Sequence, residues 1–155
     1  MTNAPLLRST LIAALRSIDD LVLCFGNDPA NILEYKDQFA GDWFKTVRDL
    51  KTGQGILRAE SVLRSGRTNS LYSVGFRFVF KAAGDPFAVF DAFSSGLPSL
   101  TGMAPDTPLP FQNLPNPISG YDPMSWPTMN PASLSEPAYD FWEILFVYQR
   151  TGSGR

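Results

Sequence analysis

Between Tyr72 and Lys81 the chain alternates so regularly that it defines two faces. Tyr72, Val74, Phe76, Phe78 and Phe80 fall on one, and Ser73, Gly75, Arg77, Val79 and Lys81 on the other. A period of two predicts a strand, because successive side chains of extended backbone point to opposite sides. Upstream, Leu57, Ala59, Ser61 and Leu63 alternate with Arg58, Glu60, Val62 and Arg64, the pattern of a half-exposed strand. The polar residues 66–70 between these runs read as a turn, so a β-hairpin is expected. Phe76, Phe78 and Phe80 should be buried, and Arg77 and Lys81 should not.

Elsewhere the period changes. Leu7, Leu11, Ala14, Leu15 and Ile18 share one face of a helix predicted over residues 5–18, with Arg8 and Arg16 outside that face. Thr2 or Asn3 can cap its start, Pro5 suits its first turn, and Asp19-Asp20 ends it. The apolar run 21–25 reads as a short strand stopped by Gly26-Asn27-Asp28-Pro29. Ile32, Leu33 and Tyr35 fit strand or helix, and Asp42, Phe44, Val47 and Leu50 before Gly53 fit a short capped helix. Asp85 and Pro86 open a further helix as N-cap and first residue, with Phe87, Phe90, Phe93 and Leu97 along one face and Gly96 and Pro98 at its end. That stripe is expected to pack on the aromatic face of the hairpin. Residues 140–149 form a nearly unbroken apolar run, read as a central strand buried on both faces.

Residues 98–137 differ in kind. Ten of the 13 prolines lie there. Proline at that density works against helices and strand ladders alike, yet Phe111, Tyr121 and Trp126 lie in the same stretch and need burial. A flexible linker would carry fewer aromatics, so an extended arm that docks on something is expected. The whole reads as a single α+β domain over residues 1–155. It has a mostly antiparallel sheet, two main helices packed on one face, and a Pro-rich insertion at 98–137.

Composition narrows the chemistry. Twelve Phe, five Tyr and three Trp among 155 residues exclude a wholly disordered chain, and a single cysteine, Cys24, excludes a disulfide scaffold. No apolar run approaches the roughly 20 residues of a membrane span. Residues 1–5 carry no basic side chain and Arg8 and Arg16 interrupt the first periodic stretch, so the expected setting is the cytosol or an assembly built there. There is no histidine, which removes Ser-His-Asp and Cys-His catalysis and a usual tetrahedral zinc site. Gly53-Gln54-Gly55 lacks the residues of a phosphate loop or a dinucleotide fingerprint. Carboxylate-only chemistry survives this filter, but Asp85 is explained by capping, and Asp19, Asp20, Asp140 and Glu143 form no recognisable acid/base pair. No catalytic residue, metal ligand or cofactor is expected.

Charge is unevenly spread. Residues 1–81 hold 11 basic and 8 acidic side chains, and residues 82–155 hold 2 basic and 7 acidic. Arg64, Arg67, Arg77 and Lys81 gather around the hairpin, either as a solvated face or as an electrostatic contact to an acidic partner or to DNA phosphates. An overall charge of −2 does not favour a nucleic-acid binder.

The order of elements resembles the tail-terminator proteins of long-tailed bacteriophages, small α+β chains that close the tail tube as hexameric rings. Their pattern is an amphipathic helix, a short strand, an apolar strand leading into a polar hairpin loop, a strongly alternating strand, a helix and a terminal strand. Here residues 5–15 resemble the first helix, 55–61 the apolar strand and 72–80 the alternating strand. Gly84-Asp85-Pro86 with the Phe-rich stretch resembles the next helix, and 142–148 the closing strand. Residues 26–54 and the arm 98–137 are longer than that pattern. The resemblance implies a structural virion protein of the neck or tail, assembled in the host cytoplasm. Its partners would be copies of itself, the tail tube protein and the head–tail connector, with DNA only as passing cargo. Under it, some of Arg58, Arg64, Arg67 and Arg77 are expected to make intersubunit or inter-ring contacts with carboxylates, and Phe111, Tyr121 and Trp126 to dock the arm. Another neck or tail-tube component of the same particle, or a small cytosolic binding domain, are the alternatives.

Overall fold

A computed structural model describes residues 4–36, 43–65, 71–101, 121–123, 127–132 and 141–150. Helix α1 (Ala4–Leu15) and helix α2 (Asp19–Cys24) precede strand β1 (Ile32–Glu34) and helix α3 (Trp43–Arg48). Strands β2 (Gln54–Ser65) and β3 (Leu71–Lys81) follow, then helix α4 (Pro86–Thr101), strands β4 (Tyr121–Pro123) and β5 (Thr128–Pro131), and strand β6 (Phe141–Arg150). The sheet runs β1-β2-β3-β6-β4, with β5 also on the outer edge of β6. Among the described residues only β1 and β2 pair in parallel; the other pairings are antiparallel. The fold is α+β.

The hairpin forms as its alternation predicts. Phe76, Phe78 and Phe80 are buried on one face, joined there by Leu57 from β2 and by Ile144, Phe146 and Tyr148 from β6. Leu7, Leu11 and Leu15 of α1, Leu21 and Val22 of α2, and Val89 and Phe93 of α4 close over this face. Phe25 meets Phe78 edge to face at 5.8 Å, and Phe76 stacks on Phe146 at 5.4 Å. The opposite face carries a second core: Ile56, Val79 and Phe141 of the sheet under Tyr35, Leu50 and the α3 residues Trp43 and Val47. Three helices thus lie on one face, and α3 covers part of the other. β6 is a central strand, flanked by β3 and by β4 and β5, with Phe141 and Glu143 buried on one side and Ile144, Phe146 and Tyr148 on the other. Leu145 and Val147 stay half-exposed.

Several expectations are corrected. The run 21–25 is helical, not a strand. Ile18, Leu21, Val22 and Phe25 stand at i, i+3, i+4 and i+7 and turn inward, while Leu23 is left exposed. Asp19 and Asp20 do not end the first helix, which stops at Leu15; they open α2, where carboxylates suit the positive end of the helix dipole. Gly26 and Asn27 at positive φ then turn the chain after α2. On α4, Asp85 caps Phe87 N–H through its side chain as expected. The buried stripe, however, is Val89 and Phe93, with Phe90 half-buried and Phe87 exposed. The helix also runs past Gly96 and Pro98 to Thr101. Proline's fixed φ is itself helical, so Pro98 forfeits a backbone hydrogen bond without forcing an end.

The strand β2 alternation breaks at a bulge. Ala59 pairs with Phe76 and Ser61 with Gly75, so Glu60 has no opposite residue and Val62, not Leu63, takes the register of Val74. In the Pro-rich segment, Tyr121–Pro123 and Thr128–Pro131 do make ladders, both on β6. Each strand ends on a proline at the sheet edge, where a missing N–H is tolerated. The arm's residues 102–120, 124–126 and 133–137 lie outside the described residues.

Arg8 is the last correction. Instead of facing away from the core it is buried, and its Nε donates to Glu34 Oε2 at 2.9 Å. Ser9 Oγ donates to the same oxygen at 2.8 Å, and Arg16 Nε donates to Ile32 O at 2.9 Å. These bonds pin α1 to the sheet edge, and the one from Arg16 occupies a backbone carbonyl that an edge strand would otherwise offer to another chain. Burial alone would raise the Glu34 pKa, but the hydrogen bonds from Arg8 and Ser9 and the charges of Arg8 and Lys36 outweigh it and hold the carboxyl below its ordinary value. A carboxyl with a depressed folded-state pKa stabilises the fold above its unfolded pKa, and that contribution is lost as pH falls through the folded value. Glu34→Gln is therefore expected to cost about 1.5–3 kcal/mol at neutral pH, as for hydrogen bonds to charged groups. Its stability should also fall less than the wild type's below pH about 4. Chemical denaturation across acid pH measures both.

Candidate functional site

On the sheet face away from the aromatic core, β2, β3 and β6 gather a group of charges. Arg58 and Arg77 stand directly opposite each other in the hairpin register, a like-charge pair that would repel if left alone. Their neighbours separate them. The Arg58 guanidinium lies over the rings of Trp43 and Tyr35, at 4.8 and 5.8 Å from their centroids, where the ring faces attract a cation. Arg77 is held between two carboxylates. Its Nε donates to Glu60 Oε2 at 2.6 Å and its Nη2 to Glu60 Oε1 at 3.3 Å, while its Nη1 donates to Glu143 Oε2.

Each partner owes its place to a local feature of the chain. Glu60 is the extra residue of the β2 bulge, a position that re-aims a side chain. Glu143 enters from β6 opposite Val79 and is only 3% exposed, whereas the side chains of Arg77 and Glu60 keep 25% and 30% of their exposure. Arg77 is not buried, as expected, but half-buried, and it bridges three strands. Lys81, also half-buried, has its Nζ 5.5 Å from the centre of the Phe141 ring.

Of the residues expected at an interface, Arg58 and Arg77 both have partners within their own chain. Arg64 stands opposite Tyr72 near the far end of the hairpin, and Tyr121 opens β4 opposite Arg150. Their side chains, together with Arg67, Phe111 and Trp126, lie outside the described residues. The Glu60–Arg77–Glu143 group was not visible in the sequence. A glutamate inside the apolar run of β6 and an arginine inside the alternating strand were its only signals.

This group holds strands together; it offers no reacting atom. Among the described residues no three Cys, Asp or Glu side chains come together in a way that could hold a metal ion. Burial, and then the charge of Asp20, push the Cys24 thiol pKa up, which keeps it from the reactive thiolate form. Burial likewise raises the Tyr148 pKa, so the phenol stays neutral. No helix among the described residues is long and apolar enough to cross a membrane.

The outward surfaces of the helices are more informative. α2 turns Asp19, Asp20 and Leu23 outward, and its neighbour α4 turns Phe87 and Asp91 outward. On the other side of the sheet, α3 turns Phe44, Lys45 and Arg48 outward. Leu23 and Phe87 are each 60% exposed and Phe44 is 44% exposed. These are large apolar side chains left in water, with Asp19, Asp20 and Asp91 near the first two and mainly cations near Phe44. No protein-family model and no curated protein matches this chain.

Proposed function

We propose that this chain is a structural subunit of a bacteriophage virion, a tail-terminator-like protein that forms a ring at the end of the tail tube and joins it to the head connector. The observation that carries this reading is the order of elements. After α1, α2, β1 and α3 come a long hairpin, a helix, two short edge strands and a closing strand, and the closing strand lies beside the alternating strand of the hairpin. The first helix, the hairpin, the following helix and the closing strand are the parts of the order that support the resemblance to tail terminators, whereas the run 21–25, read as its short strand, is helical. The chemistry of the chain agrees with a non-catalytic role: it has no histidine, and its Glu60–Arg77–Glu143 charge cluster is spent on joining strands. The function is then self-assembly, with no bond made or broken. The ring caps the growing tube on one side and presents its other side to the connector.

Native mass spectrometry and negative-stain imaging of the purified full chain test this. Closed rings are the expected result, as symmetric closure of a repeated contact requires, and the resemblance to tail terminators implies six copies in each. A monomer at every concentration and salt would overturn the reading.

A further inference from the structure

We propose that the chain binds a second copy of itself head to tail, with the α2/α4 face of one copy seated on the α3 face of the next. This deepens the ring reading and takes the identity of the partner from it.

The two faces are complementary in charge. Residues 19–31 and 82–101 contain no lysine or arginine, and Asp19, Asp20, Asp28, Asp85 and Asp91 are all exposed there. Across the sheet, α3 and the segments beside it expose Lys36, Lys45, Arg48 and Lys51. The exposed carboxylates among the described residues of that side are Asp49, which lies 3.8 Å from Lys45, and Glu60, which is paired with Arg77. Asp37 and Asp42 lie outside the described residues.

Each face also has an apolar anchor set among its charges. Leu23 is one helical turn from Asp19 and Asp20, and Phe87 one turn from Asp91. Phe44 has Lys45 beside it and Arg48 one turn away. An exposed aromatic or leucine rimmed by charge is the composition of an interface centre with a polar rim. The sign of the rim selects the partner. Two α2/α4 faces brought together would oppose aspartate to aspartate, and two α3 faces would oppose cation to cation. A two-fold contact is thereby disfavoured, and only unlike faces match. A contact between unlike faces leaves one free face on each copy, so it propagates and closes when the rotation between copies allows.

The test uses charge reversal in the full chain, followed by sedimentation velocity. One variant carries Lys45→Glu and Arg48→Glu, the other Asp20→Lys and Asp91→Lys; circular dichroism confirms that each is folded. The wild type should associate, and do so less at high salt, because screening shortens the reach of these charges to a few ångströms. Each variant alone should associate at least 10-fold more weakly, an order of magnitude for like charges opposed at a contact. An equimolar mixture of the two should recover assembly, since each reversed face then meets a face of opposite sign. Leu23→Ser and Phe44→Ser, which leave the charges untouched, should weaken wild-type association as well. If the wild type forms oligomers and neither the reversals nor the serine substitutions change them, the assignment of faces falls and the ring reading stands. If the wild type never associates, both fall.

Discussion

Phe78→Ala is expected to unfold at a far lower urea concentration than the wild type, with a stability loss of about 3–5 kcal/mol. Phe78 lies on β3, between β2 and β6, and is completely buried. Its ring is surrounded by those of Phe25, Phe80 and Phe93, at 5.8, 6.0 and 5.9 Å between centroids. These neighbours belong to three elements that also pack on others, so none can move into the space that alanine leaves. On the β2 side the ring rests against Gly55, where an added Cβ would land on the Phe78 ring itself. Gly55→Ala should accordingly cost about 1–3 kcal/mol through overpacking. The two sites share one volume, so their effects should not add. Gly55→Ala combined with Phe78→Leu should lose clearly less than the two single substitutions together. Urea melts of the wild type, the three single variants Phe78→Ala, Phe78→Leu and Gly55→Ala, and the double variant measure this, and a Phe78→Ala loss under about 1 kcal/mol would mean that this packing does not limit stability.

Legibility in the sequence followed how local each determinant is. β3 could be read because its face is fixed by the chain's own alternation, and Phe76, Phe78 and Phe80 need only a covering layer to be buried. Asp85 could be read because a cap acts within two residues. The run 21–25 could not be resolved in isolation, since five apolar residues fit a strand. What decides is that Leu21 and Val22 face the sheet together with Ile18 and Phe25 while Leu23 does not. The bulge at Glu60 was hidden for a related reason. Alternation in β2 looks continuous until β3 is laid beside it, and only then does Ser61 fall opposite Gly75. Arg8 was placed outside the apolar face by periodicity alone. Its burial depends on Glu34, 26 residues away on another element. The charge group of the outer face is the extreme case, because Arg77 and Glu143 are 66 residues apart and meet only through the β3–β6 register.

That group supplies the second large effect. Arg77→Leu is expected to cost about 3–5 kcal/mol, because it takes the guanidinium away from the buried Glu143 carboxylate. Glu143 is only 3% exposed, so water cannot replace the guanidinium. Glu60 behaves differently. It shares the same arginine, but its side chain keeps 30% of its exposure, so Glu60→Gln should cost about 0–1 kcal/mol, as for a solvated pair. The asymmetry between the two carboxylates distinguishes a burial effect from a simple count of ion pairs. A buried pair also repays its desolvation poorly, and apolar side chains of similar size often serve as well. Arg77→Leu with Glu143→Leu should therefore recover most of the stability lost by Arg77→Leu alone. It places two leucines beside the half-exposed Leu145 and Val147 on the same sheet face. A double-mutant cycle on thermal and urea melts gives the coupling directly. If Glu60→Gln proved as damaging as Arg77→Leu, the exposed carboxylate would be the one that holds the arginine. The strands would then be joined from the solvent side of the sheet rather than from within it.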